Sequence, residues 1–509
     1  MSNKSFYITT AIDYVNALPH LGTAYEKVGA DVLARYKRLT GHDVFFMMGV
    51  DEHSLNVAKQ AALRNIDTKA YCDEMAAKFE DVWRALDIKY DRFIRTTEDD
   101  HIHAVQELFR RIYNNGDIYK GKYSGWYCIS CEAFIPEKEL VDGVCPVHKR
   151  KPEWLEEENY FFALSKYASA LLDHIEKNPS FIEPQIRRNE ILNVIKSGLD
   201  DISVSRSSET WGIPIPFDDK HVVYVWFDAL INYITGAGFP DNIDKFKSLW
   251  PADVHVIGKD ITRFHAIIWP AMLMAAKVPL PKQVFGHGFV YLKGEKMSKS
   301  AGTAIDPVSL AEKFGPDPLR YFLMREIPFD RDGDFFMENY EVRYNSDLAN
   351  DWGNLIQRVL SMINKYRNGS IPEPDKNFTT PLLEEWKTLQ KVLVESIDAD
   401  LNELKFNVIL NKIWQMIQLS NRFVEVQAPW KLYKADNASK ELDNTLYALV
   451  EMIRIANIFL YPVMPQIAQM VRSQLAIDYP FSIEEASLWG RMIAGHKPGK
   501  IEPLFPKFE

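Results

Sequence analysis

Cysteine is scarce in this chain: four residues among 509, three of them within the 18 positions from Cys128 to Cys145. That is too few for a secreted fold stapled by disulfides, so a reducing compartment, the cytoplasm, is the expected location. A basic excess is missing as well. With 60 Lys and Arg against 70 Asp and Glu the net charge is −10, so any polyanion would have to meet a local basic face rather than the molecule as a whole. Long apolar runs are absent too. The uncharged stretch from Ile455 to Val471 is crossed by Asn457, Pro462, Pro465, Gln466 and Gln469, which suits packed helices and not a lipid-facing one, so no membrane partner is expected. The opening residues MSNKSFYITTAID have no basic segment leading into an apolar core, so no secretory leader is expected either. Finally, glycine is missing from 370 to 489, whereas 19 of the 24 glycines precede residue 353. A turn-rich region thus gives way to one that reads as helix.

What is present is an ordinary globular composition, 47% hydrophobic and 26% charged. At about 150 residues per domain the length suggests three or four units. Residues 5 to 12 (SFYITTAI) are aromatic and β-branched, and Leu21, Tyr25, Val28, Val32, Tyr36 and Leu39 then recur at helical spacing. That reads as strand, turn, helix. Val44 to Met48 is a second buried-strand candidate, ending in Gly49-Val50-Asp51-Glu52-His53. Later runs, Val222 to Phe227, Val254 to Ile257 and Val284 to Leu292, end in Asp228, in Gly258-Lys259-Asp260 and in a lysine-rich loop. Strands alternating with helices predict an α/β fold with a Rossmann-like parallel sheet, whose ligands gather at the carboxyl ends of the strands. The sheet is expected in two halves, 1–115 and 218–290, split by an insertion at 116–217. A connecting region, 291–345, then leads to an all-α bundle at 346–509, in which Phe406, Leu410, Ile413, Ile417 and Val424 form a helical stripe.

Three motifs carry chemistry. Cys128-x-x-Cys131 and, after thirteen residues, Cys145-Pro146-Val147-His148 make two knuckles of soft ligands. Three thiolates and one imidazole suit one closed, tetrahedral and hence structural zinc ion. Lys296-Met297-Ser298-Lys299-Ser300, flanked by Gly294 and Gly302, is a loop that can close on a polyphosphate and neutralise charge as a phosphoryl bond breaks. Alone it reads equally well as a solvated basic loop. His20-Leu21-Gly22-Thr23 opens a helix, where backbone N–H groups favour an anion. Alone it reads best as a structural histidine at a helix start.

Taken together, a His-Leu-Gly motif after the first strand, Lys-Met-Ser-Lys-Ser far downstream, a cysteine-rich insertion and a helical C-terminal region resemble the class I aminoacyl-tRNA synthetases. The likeness narrows with Thr10-Ala11-Ile12-Asp13-Tyr14, Val50-Asp51-Glu52-His53, Tyr224 to Ala229, Gly258-Lys259-Asp260, Arg263-Phe264-His265 and Trp269-Pro270. These are similar to successive motifs of the methionyl-tRNA synthetase family, in its shorter bacterial form. Asn350-Asp351-Trp352-Gly353-Asn354 with Arg358, and Gln427-Ala428-Pro429-Trp430, resemble the anticodon-binding helices of that family.

The resemblance implies that ATP, with Mg²⁺, activates L-methionine to an adenylate, and that the methionyl group then passes to the terminal ribose of initiator and elongator methionine tRNA. It implies ATP contacts at His20, Gly22, Thr23, Gly258, Asp260, Lys296, Ser298 and Lys299, of which His20, Thr23, Lys296 and Lys299 serve catalysis. It places methionine among Ile12, Tyr14, Asp51, Trp226, Ala229, Leu230, Tyr233, Phe264, His265 and Trp269, with Asp51 on the ammonium. Asn350, Asn354, Arg358 and Trp430 would read the anticodon by edge hydrogen bonds and stacking. Two positions depart from the family pattern: Thr23 stands where histidine is frequent, and Asp13 where proline is frequent. With no appended dimerising module before Glu509, a monomer is expected. The alternatives are another class I synthetase for an aliphatic amino acid, or a non-catalytic zinc-containing tRNA-binding protein.

Overall fold

A computed structural model describes residues 4–129, 133–135, 137–147, 149–207, 210–297, 305–436 and 439–506. Its centre is a parallel sheet. The strands are β1 (Ser5–Thr10), β2 (Asp13–Tyr14), β3 (Asp43–Asp51), β4 (Arg92–Arg95), β5 (Ile182–Glu183), β6 (Val254–Gly258) and β7 (Val284–His287). Across the sheet they run β4, β3, β1, β6, β7, β5, with β2 continuing past the end of β1 beside β3. In register, Ile8 lies opposite both Phe46 and Val254. Helices cover both faces, as an all-parallel sheet requires. Ile8, Phe46, Met48 and Val256 pack on the side of helix α1 (Leu21–Leu39). Tyr7, Met47 and Ile257, one residue out of phase, pack on Leu108, Phe227 and Trp269 of the other face.

Two strand expectations need correction. Strand Asp218–Val223 is antiparallel and belongs to a small separate sheet, while Val225–Leu230 and Asn232–Gly236 are helices. A short apolar run buried on all sides fits strand and helix equally by periodicity, and here the helix wins. The Val284 to Leu292 run breaks at Gly288, where a Cβ would sit 2.1 Å from the Arg331 backbone. Beyond this close crossing, Val290–Leu292 joins a second sheet with Glu295–Lys296 and Gly333–Phe335.

The insertion is built on a long antiparallel pairing of Ile118–Cys128 with Glu153–Phe162. The glycine-free region is helical throughout its main elements, and the stripe from Phe406 to Val424 is buried in helix Phe406–Gln427. Its core is continuous with that of α1. Three contacts mark the seam. Tyr36 OH donates to Phe459 O (3.0 Å), Lys37 Nζ donates to Asn402 Oδ1 (3.1 Å), and Arg320 from helix Pro316–Glu326 reaches Pro462 O and Val463 O at 3.0 and 2.9 Å. Among the described residues no helix is long and apolar enough to cross a membrane.

Candidate active site

β1 has β3 on one side and β6 on the other, so the strand order changes direction between β1 and β6. A cavity of about 390 Å³ opens at their carboxyl ends, the usual ligand position in such a sheet.

One end of the cavity is apolar and aromatic. Ile12, Tyr14, Asp51, Trp226, Ala229, Leu230, Tyr233 and His265 all line it. Trp226, Ala229, Leu230 and Tyr233 follow i, i+3, i+4, i+7 spacing, so two consecutive short helices turn one face to the cavity. Phe264 and Trp269 are not on the wall. Phe264 stacks behind Trp226 with ring centroids 3.8 Å apart, and Trp269 is buried behind Tyr233, donating Nε1–H to His255 Nε2 at 3.3 Å. His265 donates from Nδ1 to Ile261 O (3.0 Å), which leaves Nε2 to accept from Tyr233 OH (2.6 Å). Burial pushes the His265 ring down to about 4, so this wall carries no imidazolium at neutral pH.

Asp51 ends β3, buried, with its Oδ1 accepting from His53 N at 3.2 Å. The two neighbours turn elsewhere. Glu52 pairs with Arg95 (2.8 Å) and Thr97, and His53 Nδ1 meets Asp228 Oδ2 (2.7 Å), whose other oxygen meets His101 Nε2 (2.7 Å). Burial would raise the Asp228 carboxyl, but the two histidines outweigh it and hold it below its ordinary value. The loop bearing Asp51 is therefore pinned from behind by buried charge.

At the other end His20, Gly22, Thr23, Gly258 and Asp260 line the cavity. His20 is the N-cap of α1, its Nδ1 accepting from Thr23 N at 3.2 Å. A Cβ on Gly22 would stand 3.0 Å from the His20 ring, so the bare backbone there makes room for the imidazole as well as for a ligand. Of the lysine loop, Lys296 pairs its backbone with Tyr291 and Met297 lines the cavity, buried. Ser298 and Lys299, and the side chain of Lys296, lie outside the described residues. On the far side of the loop the Ile305 carbonyl accepts from Leu21 N at 3.0 Å. One end of the loop thus lies on the cavity wall and the other is bonded to the first turn of α1.

Several lining residues escape the motif reading: Glu26, Asn232, Ile261, His287, Phe289 and Val290. Glu26 was within reach, since it lies one turn after Gly22 and Thr23 on the same helical face. His287 ends β7, in the position where polar strand ends collect.

The remaining expected residues lie apart. Asn350 and Asn354 line a cleft of about 480 Å³ together with Gln474 and Glu502. Arg358 turns to the neighbouring helix, with NH2 2.6 Å from Glu425 and its guanidinium 5.9 Å from the Trp430 ring. In the insertion Cys128 and Cys145 are buried in one small cluster with Ile135. Cys131 and His148 lie outside the described residues.

An α/β sheet with a cavity at its switch point, an N-capping histidine on the first helix and a lysine-bearing hairpin whose two ends flank that helix defines a class I synthetase fold. Comparison carries this further. The family described as tRNA synthetases class I (M) matches residues 6–151 and 137–360. The methionine–tRNA ligase of Clostridium acetobutylicum is 47% identical over 99% of this chain and 78% of its own length, and that of Thermosynechococcus vestitus is 42% identical over 99% and 97%. Mycobacterium tuberculosis methionyl-tRNA synthetase in complex with methionyl-adenylate superimposes with a TM-score of 0.94 at 43% identity, over 99% of this chain and 100% of that one. The chain belongs to the class I tRNA synthetases of the methionine family.

Proposed function

We infer that the protein is a methionine–tRNA ligase: it joins L-methionine to ATP, giving methionyl-adenylate and pyrophosphate, and then passes the methionyl group to the 3′-terminal ribose of its tRNA. The observation that carries this reading is the cavity at the switch point, aromatic with the carboxylates of Asp51 and Asp13 at one end, with a helix N-terminus and Asp260 at the other and Met297 of the lysine loop on its wall. Adenylate formation needs in-line positioning and charge stabilisation rather than a strong base. The chain supplies both. Asp51 takes the ammonium. The aromatic wall takes the thioether, a polarizable group suited to ring edges, against a neutral Tyr233–His265 pair that adds no charge to an apolar site. His20 and Thr23 meet the phosphate chain, Gly22 and Gly258 lie under the nucleoside with Asp260 near its ribose, and Lys296, Ser298 and Lys299 close over the departing pyrophosphate. Mg²⁺ accompanying the nucleotide would supply further charge neutralisation.

A second group is implied by the insertion. Two buried thiols brought into one cluster, followed by a tight turn in which Lys149 N donates to Cys145 O at 2.8 Å, suit a tetrahedral site. Cys128, Cys131, Cys145 and His148 would hold one zinc ion there, a structural one because protein ligands fill all four positions.

Exchange of radioactive pyrophosphate into ATP, measured with each of the twenty amino acids, tests the assignment: methionine is expected to support it, and activity with leucine in place of methionine would overturn it. Thr23→Val, which removes a hydroxyl at similar volume, is expected to slow methionine-dependent exchange about 10- to 100-fold, the worth of one hydrogen bond to a charged group, about 1.5–3 kcal/mol. An unchanged rate in stopped-flow adenylate formation would make position 23 a packing residue only.

A further inference from the structure

Asp13 belongs to the site. It lines the cavity, and its Oδ2 lies 2.9 Å from Lys27 Nζ, which is wholly buried. The ammonium donates hydrogen bonds to Glu26 Oε1 at 2.6 Å and Ala11 O at 2.7 Å, with Asp13 Oδ2 beside it as a second ion-pair partner. Glu26 in turn meets His287 Nε2 with its second oxygen at 3.0 Å, and His287 Nδ1 meets Gly288 O at 2.7 Å. The result is a string of linked polar side chains, Asp13, Lys27, Glu26, His287, laid across the cavity floor. Its first member stands on β2 beside Tyr14 and Asp51, at the amino-acid end, and its last stands at the end of β7, at the nucleotide end. Lys27 also ties down Ala11, in the break between β1 and β2.

We propose that Asp13 is a positioning residue for adenylate formation: through Lys27 it fixes β2 against α1, and so sets the spacing between the amino-acid and nucleotide halves of the cavity. The inference rests on the methionine-activating reading above. A carboxylate that must approach phosphorus in line is sensitive to this spacing, because small displacements of reacting groups cost large factors in rate. Without the anion, Lys27 is balanced by Glu26 alone and is drawn towards it, away from β2. The charged and titratable groups facing Asp13 are Lys27 and Glu26 from α1 and the Tyr233 hydroxyl, while Asp51 of β3 pairs with the next residue, Tyr14. Burial pushes its carboxyl up to about 6 against the pull of Lys27, while Lys27 and His287 outweigh burial at Glu26 and keep that carboxyl below its ordinary value.

The sign follows. The anion that positions the site is present above pH 6 and is lost as the pH falls through it, so the wild-type turnover number for methionine-dependent exchange should show an acid limb there. Asp13→Asn carries at every pH the neutral group that wild type acquires only in acid. Its exchange turnover at pH 7.5 is expected to fall about tenfold, with the acid limb gone and the methionine KM within twofold of wild type. A turnover within twofold of wild type, or an acid limb that persists in Asp13→Asn, would overturn the proposal. So would loss of cooperative melting and of methionine binding by tryptophan fluorescence, which would assign the pair to stability alone. Absence of methionine-dependent exchange in the wild-type protein would instead remove the reading on which the proposal stands.

Discussion

Replacing Trp430 by alanine is expected to lower aminoacylation of methionine tRNA on the order of 10- to 100-fold while leaving methionine-dependent pyrophosphate exchange unchanged; the magnitude is that of one lost base stack, about 1–3 kcal/mol. Trp430 follows Ala428 and Pro429, at the start of the short helix Pro429–Ala435. Ala428 holds a left-handed backbone (φ 44°), so the chain turns sharply there and presents the indole half-exposed, beside the Arg358 guanidinium. Asn350 and Asn354, in their separate cleft, could meet bases splayed out of a loop, and an unstacked base between indole and guanidinium is the arrangement by which single strands are held. None of these side chains touches the cavity at the switch point, which is why the two assays should separate. Equal losses in both would take Trp430 out of tRNA reading and return it to the turn as a packing residue.

Arg320→Met is expected to destabilise the protein by about 3–5 kcal/mol, the usual cost of removing one member of a buried ion pair. Arg320 has no exposed side-chain surface and lies 2.6 Å from Asp31, in the middle of α1. It also donates to the carbonyls of Leu86, Pro462 and Val463 at 3.3, 3.0 and 2.9 Å. Methionine fills much of the volume but supplies no donor, so those carbonyls stay buried and unpaired. Asp31 keeps Arg35 at 2.7 Å, which sets the ceiling on the loss. Urea unfolding followed by circular dichroism measures the effect, and a change below about 1 kcal/mol would mean that the junction is held by its apolar core alone. Arg320→Lys should recover only part, because an ammonium keeps the charge but cannot match the planar fork.

Strong local signals in the sequence match what the structure places around the cavity. The strand-turn-helix at the N-terminus is legible because its apolar residues change period from 2 to 3.6 within one turn, and His20 and Gly22 fall at that change. The run Val222 to Phe227 reads as one strand, but from Val225 onward the chain is helical and brings Trp226 to the cavity: a short apolar run does not tell a helix from a strand by its period. Phe264 and Trp269 share the aromatic type of the wall residues, and only three-dimensional layering separates a ring on the wall from a ring behind it. Lys27 was invisible for a different reason. On α1 it reads as a solvated charge, and its burial follows from Asp13, Glu26 and the Ala11 carbonyl converging from three segments, a coincidence that no spacing rule encodes. His53 and Asp228 are alike in this respect, each explained by a partner far along the chain.

The shared core between α1 and the helical bundle has a mechanical meaning. With 19 residues, α1 is roughly 28 Å long, and it runs from the N-cap at the reaction centre to the seam at Tyr36, Lys37 and Phe459. It is a strut built into both ends, with apolar packing along its length and ionic bolts at Asp31 and Arg320. The inserted module is tied in as well: Ile118, Tyr160 and Phe162 share a core with Tyr7, Met47 and Ile257 of the sheet. The distance from the His20 end of the cavity to the helical bundle is therefore set by one stiff element and not by a hinge.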